Sequence, residues 1–226
     1  MRRLRRFAME NSLSLTFGLL FLMSLAAQAY AGLREFNASQ HADGLPTVPM
    51  DEYVTSADFA VDVTENWQSE FLQFFLLIVA TVWLVQRGSP ESKPIDRSGL
   101  ETASAQKLDG YAATASPQWA NGGSFRRRLF SWSLSMTMGA IFVASWFAQS
   151  VAGWAAYNEI RLGRLQDPVS WAAYLGSADF WGRSLQNWQS EFLAVGSMAV
   201  FSIYLRQRGS SESKRVGDPH DSEKQP

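Results

Sequence analysis

NWQSEFLQFFLLIVATVWLVQRGSPESK, residues 66–93, returns 121 residues later as NWQSEFLAVGSMAVFSIYLRQRGSSESK, residues 187–214. The two copies agree at their ends and differ in the middle. Residues 66–72 match 187–193 at seven of seven positions, and 86–93 match 207–214 at seven of eight, the exception being Pro90 against Ser211. Between them, residues 73–85 share only Val79 and Leu84 with the second copy, two of thirteen. Uniform drift after a duplication would spread identity evenly. Both ends of one apolar segment therefore carry a requirement that exists twice.

The same offset aligns the halves without a gap from residue 12 to residue 93, although the loop at 38–52 keeps only Val48, one of fifteen. A fixed period of this kind marks a repeated structural unit. The apolar residues lie in four blocks. Residues 12–33 carry no charge and one strongly polar side chain, Gln28; as a helix they extend about 33 Å, enough for a bilayer core. Residues 71–85 extend only about 22 Å and span only by borrowing 66–70 on one side and Gln86 and Arg87 on the other. Residues 129–154 are uncharged and long enough, whereas 192–205 are short again and again follow NWQSE. The pattern predicts an all-α integral membrane protein with four transmembrane helices near 12–33, 66–87, 129–154 and 187–208, arranged as two tandem two-helix repeats.

Arg2, Arg3, Arg5 and Arg6, an apolar run, and Ala29-Tyr30-Ala31 also make a secretory signal with an A-x-A cleavage site. The aligned segment, residues 133–153, is internal. It repeats Ser12, Ser14, Thr16, Gly18, Ser24, Ala27, Gln28 and Gly32 as Ser133, Ser135, Thr137, Gly139, Ser145, Ala148, Gln149 and Gly153. Small residues in that register suit close helix packing in lipid, so the first segment reads as a retained span, with cleavage after Ala31 as the alternative.

Orientation follows from Lys and Arg. With the N-terminus inside, the inside segments hold 16 of the 20 and the outside loops only Arg34, Arg161, Arg164 and Arg183, which places both termini in the cytoplasm. Each repeat has two spans, so both copies enter the membrane in the same direction, as a parallel repeat. The remaining boundaries follow composition: a first membrane repeat over 1–93, a disordered cytoplasmic linker over 94–125, a second membrane repeat over 126–214, and a disordered tail over 215–226. Ser56 and Ser177 are placed to cap helices that begin outside the spans.

With no cysteine and only His41 and His220, the chain lacks the material for thiolate metal sites, thiol nucleophiles or a Ser-His-Asp triad. A net charge of −1, with no broad basic patch, excludes a nucleic-acid binder. No cofactor motif is present. Candidate chemistry is confined to the duplicated motif: Asn66, Trp67, Gln68 and Glu70, and Asn187, Trp188, Gln189 and Glu191. The span arithmetic carries Glu70 and Glu191 toward the hydrocarbon, and puts Gln28 and Gln149 at matching depth on the antiparallel neighbours, offering each carboxyl an amide partner. One reading is a proton- or cation-handling pair near the pseudo-twofold axis. The other is a helix start at the headgroups, with Asn66 or Asn187 as cap and Trp67 or Trp188 in the aromatic belt. At the inner ends, Arg87, Lys93, Arg208 and Lys214 form a candidate contact for an anionic lipid or a cytoplasmic protein.

NWQSEF entering a span and QRGSPESK or QRGSSESK leaving it, both duplicated, resemble a family of small bacterial inner-membrane proteins known only as a domain of unknown function. The resemblance covers both halves. It implies a multi-pass protein of the bacterial inner membrane and brings no activity, cofactor or catalytic residue. The second copy departs at Ala194, where the first has Gln73, and at Ser211, where it has Pro90. The expected function is a non-enzymatic scaffold or envelope component; the alternative is a small proton- or cation-coupled transporter or channel using Glu70 and Glu191.

Overall fold

The computed structural model describes residues 2–120 and 122–222. The expectations for Met1, Asn121 and the last four residues of the tail lie outside the described residues. Among the described residues the chain is all-helical: α1 (Arg2–Glu10), α2 (Ser12–Ala42), α3 (Met50–Val54), α4 (Ala57–Trp83), α5 (Ser124–Ser131), α6 (Ser133–Gly163), α7 (Trp171–Leu175) and α8 (Ala178–Tyr204). Between α4 and α5 lie two 3₁₀ turns, Ile95–Arg97 and Asp109–Tyr111. The bounds of α2, α3 and α4 recur 121 residues later in α6, α7 and α8.

Local chemistry sets these ends. The Ser56 Oγ accepts the Phe59 amide and the Ser177 Oγ the Phe180 amide, each at 3.2 Å, so α4 and α8 start on the same serine cap. After α2 the Leu45 amide donates to the Gln40 carbonyl at 2.8 Å, with Gly44 left-handed at φ +73°. After α6 the Gln166 amide closes on the Arg161 carbonyl at 2.8 Å, but Leu165 takes the left-handed position at φ +57°.

Four spans were expected, and two helices, Ser12–Ala42 and Ser133–Gly163, are long and apolar enough to cross a membrane. The correction has a physical cause. Helix α4 stops at Trp83, leaving Leu84 and Val85 outside it, and its first half carries Asp58, Asp62, Glu65 and Glu70. Its uncharged remainder, residues 71–83, extends about 20 Å against a core of about 30 Å. Helix α8 repeats the shortfall, with Asp179, Arg183 and Glu191 ahead of residues 192–204.

The chain forms two compact units, Met1–Val63 with Ala152–Pro168, and Thr64–Val151 with Val169–Pro226. In the first, the buried Tyr53 ring lies between Phe36 and Phe59, with centroids at 5.6 and 5.5 Å. Gly32 of α2 faces that tyrosine with no room for a side chain: a Cβ there would stand 2.1 Å from the Tyr53 Oη. The Asn37 amide binds both backbone groups of Val48, at 2.8 and 2.9 Å, which anchors the loop at the one residue shared by the two copies.

In the second unit, Gly139 packs on Phe75, and Phe142, Trp146, Phe180 and Trp188 form an aromatic cluster with centroids 5.6 to 6.5 Å apart. Burial is inverted relative to a water-soluble protein. Gln68, Ser69, Gln149, Ser150 and Ser184 are at most 3% exposed, while Leu13, Phe17, Val143 and Leu193 are at least 60% exposed.

Candidate functional site

Helices α4 and α8 begin at Ala57 and Ala178, so both NWQSE motifs lie inside helices. Asn187 caps nothing: its side-chain amide donates to the Arg183 carbonyl one turn back, at 3.0 Å. Within the second unit the two motifs meet each other. The fully buried Gln68 accepts the Trp188 indole N–H through Oε1 at 2.7 Å. The Ser69 hydroxyl donates to the Asn66 carbonyl at 2.9 Å and reaches the Glu191 carboxylate at 3.4 Å. One copy of the motif is thus the other's hydrogen-bond partner. Asn66, Glu70 and Gln189 are exposed, as is Trp67.

A second polar layer lies beyond this junction. The Arg183 guanidinium pairs with Glu65 at 3.0 Å and with Asp179 at 3.6 Å, and the Tyr174 hydroxyl donates to Asp179 at 3.0 Å. Burial holds the Tyr174 phenol well above the ordinary tyrosine value, with the Asp179 hydrogen bond and charge adding to the effect. The Trp146 indole donates to Ser184 and the Trp171 indole to Ser150, each at 3.2 Å.

Among the described residues, three buried side-chain atoms have no hydrogen-bond partner: Gln68 Nε2 and both Nε2 and Oε1 of Gln149. The expected amide–carboxyl pair between Gln149 and Glu191 is therefore not made; Gln149 is buried at 1% exposure with its whole amide unpartnered. Depth along a helix was legible in the sequence, but the direction a side chain takes around the axis was not. Gln28 is half-buried on α2.

At the inner ends the repeated QRGSPESK and QRGSSESK close the same turn. Gly88 and Gly209 are left-handed at φ +82° and +87°. The Ser92 and Ser213 hydroxyls accept the amides of Gln86 and Gln207, each at 2.8 Å, while Ser89 and Ser210 accept those of Glu91 and Glu212 at 3.2 and 3.1 Å. The lysines secure the chain that follows. Lys93 binds the Gly99 carbonyl and Glu101; Lys214 binds the carbonyls of Pro219, His220 and Ser222 at 3.3, 2.7 and 3.2 Å. Both ammonium groups are thus engaged with their own chain, and the exposed Arg87 pairs with Asp221 at 3.5 Å, while Arg208 is exposed. The described part of the tail is held further by Arg206, which binds the carbonyls of Arg215 and Asp218 at 3.1 and 3.0 Å.

Sequence reasoning missed Tyr53, Tyr174 and Asn37. Each has a copy at the 121-residue offset, Tyr53 with Tyr174 and Asn37 with Asn158, so the repeat carried the signal in positions that hold no charge.

These features define an all-helical protein with two helices able to cross a membrane and a polar interior joined by tryptophan, glutamine, serine and glutamate. The chain belongs to the family described as a domain of unknown function (DUF6766), whose model matches residues 4–225. No curated protein and no solved structure matches it.

Proposed function

We propose that this chain is a multi-pass protein of the bacterial inner membrane, built from two parallel two-helix repeats with both termini in the cytoplasm, and that its role is that of a non-enzymatic scaffold or envelope component. The inverted burial carries this reading. A bilayer rewards apolar side chains outside and requires polar groups to be satisfied within. The shared helix bounds support the repeat, and the Lys and Arg distribution supports the orientation. We take α4 and α8 as short spans only with their motif residues included: 66–83 and 187–204 extend about 27 Å each, and Gln68, Trp188, Ser69 and Glu191 satisfy one another where these stretches are polar. Exposed Arg208 suits an anionic headgroup, whereas Arg87 is already paired with Asp221.

The test is topological. The protein is expected to resist alkaline extraction from membranes. In this cysteine-free chain, a cysteine introduced at Asp51 is expected to label in intact cells, and one at Ser104 only after permeabilisation. Alkaline release, or the reverse labelling, refutes the reading.

One observation favours transport as a second reading. The unpartnered amide atoms of Gln68 and Gln149 are places for interior water, in the unit that also holds Glu191. Proteoliposomes carrying a pH dye separate the two. The scaffold reading expects no proton flux above empty liposomes. A flux that disappears in the Glu70→Gln, Glu191→Gln double variant establishes the transporter.

A further inference from the structure

We propose that a groove at the inner end of the second unit holds one acyl chain of an anionic phospholipid, with the lipid phosphate on Arg128; this rests on the membrane reading above. The cavity has a volume of about 490 Å³ and is walled by Phe75 and Val79 of α4, Leu129 of α5, Trp132, and Met136 of α6, with Arg128 among its lining residues. That volume is in the range of ligand sites.

Charge complementarity selects the occupant. Three consecutive arginines stand on α5. Arg127 is taken by Asp109, whereas Arg126 and Arg128 are exposed and form no ion pair among the described residues. Guanidinium groups bind phosphate in a bidentate manner, and Arg128, which lines the apolar slot, is unclaimed. An amphiphile with an anionic head and a hydrocarbon tail matches both parts, whereas a free phosphate would leave the slot empty. The surface beside the groove is apolar and open, with Leu134 and Met136 more than half exposed, so a chain can enter sideways from the bilayer. The site is separate from the inner-end turns, where both lysines are already engaged.

Native mass spectrometry of the full chain in mild detergent tests this, with phosphatidylglycerol or phosphatidylcholine added. One phosphatidylglycerol is expected to stay bound, with phosphatidylcholine retained about tenfold less. The Arg128→Gln variant is expected to lose the preference, and Val79→Phe, which fills the slot but keeps the charge, to lose retention of both lipids. Inorganic phosphate is expected not to compete. Equal retention of both lipids by wild type, unchanged retention in either variant, or displacement by phosphate overturns the groove. Alkaline release of the protein from membranes overturns the membrane reading itself, a separate observation from the lipid count.

Discussion

Three glycines on the two long helices form a graded series. A Cβ at Gly18 of α2 would meet nothing within 4 Å; at Gly139 of α6 it would stand 3.1 and 3.2 Å from the Phe75 ring; at Gly32 of α2 it would stand 2.1 Å from the Tyr53 Oη and 2.9 Å from Cζ. Alanine in a helix interior gains about 1 kcal/mol over glycine when nothing opposes it, so Gly18→Ala should stabilise. At Gly139 the gain is opposed by a tight contact with a half-buried ring, and the change should be close to neutral. At Gly32 the phenol cannot retreat, because its ring is buried between Phe36 and Phe59. Overpacking there costs about 1–3 kcal/mol, for a net loss of about 0–2 kcal/mol after the helix gain is counted. Thermal melting in detergent should rank the variants Gly18→Ala, Gly139→Ala, Gly32→Ala from most to least stable. The first and last should differ by several degrees, at about 2–4 °C per kcal/mol. Tyr53→Phe removes the 2.1 Å contact and should recover part of the Gly32→Ala loss. A Gly32→Ala protein as stable as Gly18→Ala would refute the reasoning.

Gln68→Leu should cost about 1–3 kcal/mol by stranding the Trp188 indole N–H, while Gln149→Leu should be neutral or stabilising because neither of its amide atoms has a partner; equal losses in a detergent melt would show that Gln149 is engaged after all. Leu165→Gly should stabilise by about 1 kcal/mol, since Leu165 is 98% exposed and left-handed where the first copy has Gly44. A lower melting temperature would contradict this. The Tyr174 phenol is raised above its unfolded value of about 10, so its stabilising contribution is complete below that pH and is lost as pH rises through the folded value. Melting temperature should therefore fall less steeply above about pH 10 in Tyr174→Phe than in wild type, and identical slopes would count against the buried phenol.

The four long helices and their order were legible in the apolar blocks and the repeat, whereas the short α1, α3, α5 and α7 were not, and Ser56 and Ser177 cap as their spacing suggested. Helix extent was less so. Apolar content stops at Leu33, yet α2 runs on to Ala42, because 34–42 contains no glycine or proline and a helix continues through polar residues until Gly44 permits the turn. The motif residues were legible as a group, but their partners were not. Gln68 pairs with Trp188 and Gln149 with nothing, a distinction of helix rotation that spacing alone does not carry. Lys93 and Lys214 read as lipid contacts because a cation at a helix end has two fates, solvent or its own carbonyls, and only geometry tells them apart.

The contrast within residues 66–93 now has a mechanical origin. A hydrogen bond names one atom and one direction, which restricts Gln68 and Ser69 of one copy, Trp188 and Glu191 of the other, and the serines that close the turns in both. A hydrocarbon solvent names only a class of side chain, so the stretch between them was free to change. Sequence divergence inside one helix thus acts as a ruler: frozen letters mark where the chain grips itself by direction, and drifting letters mark where it only dissolves.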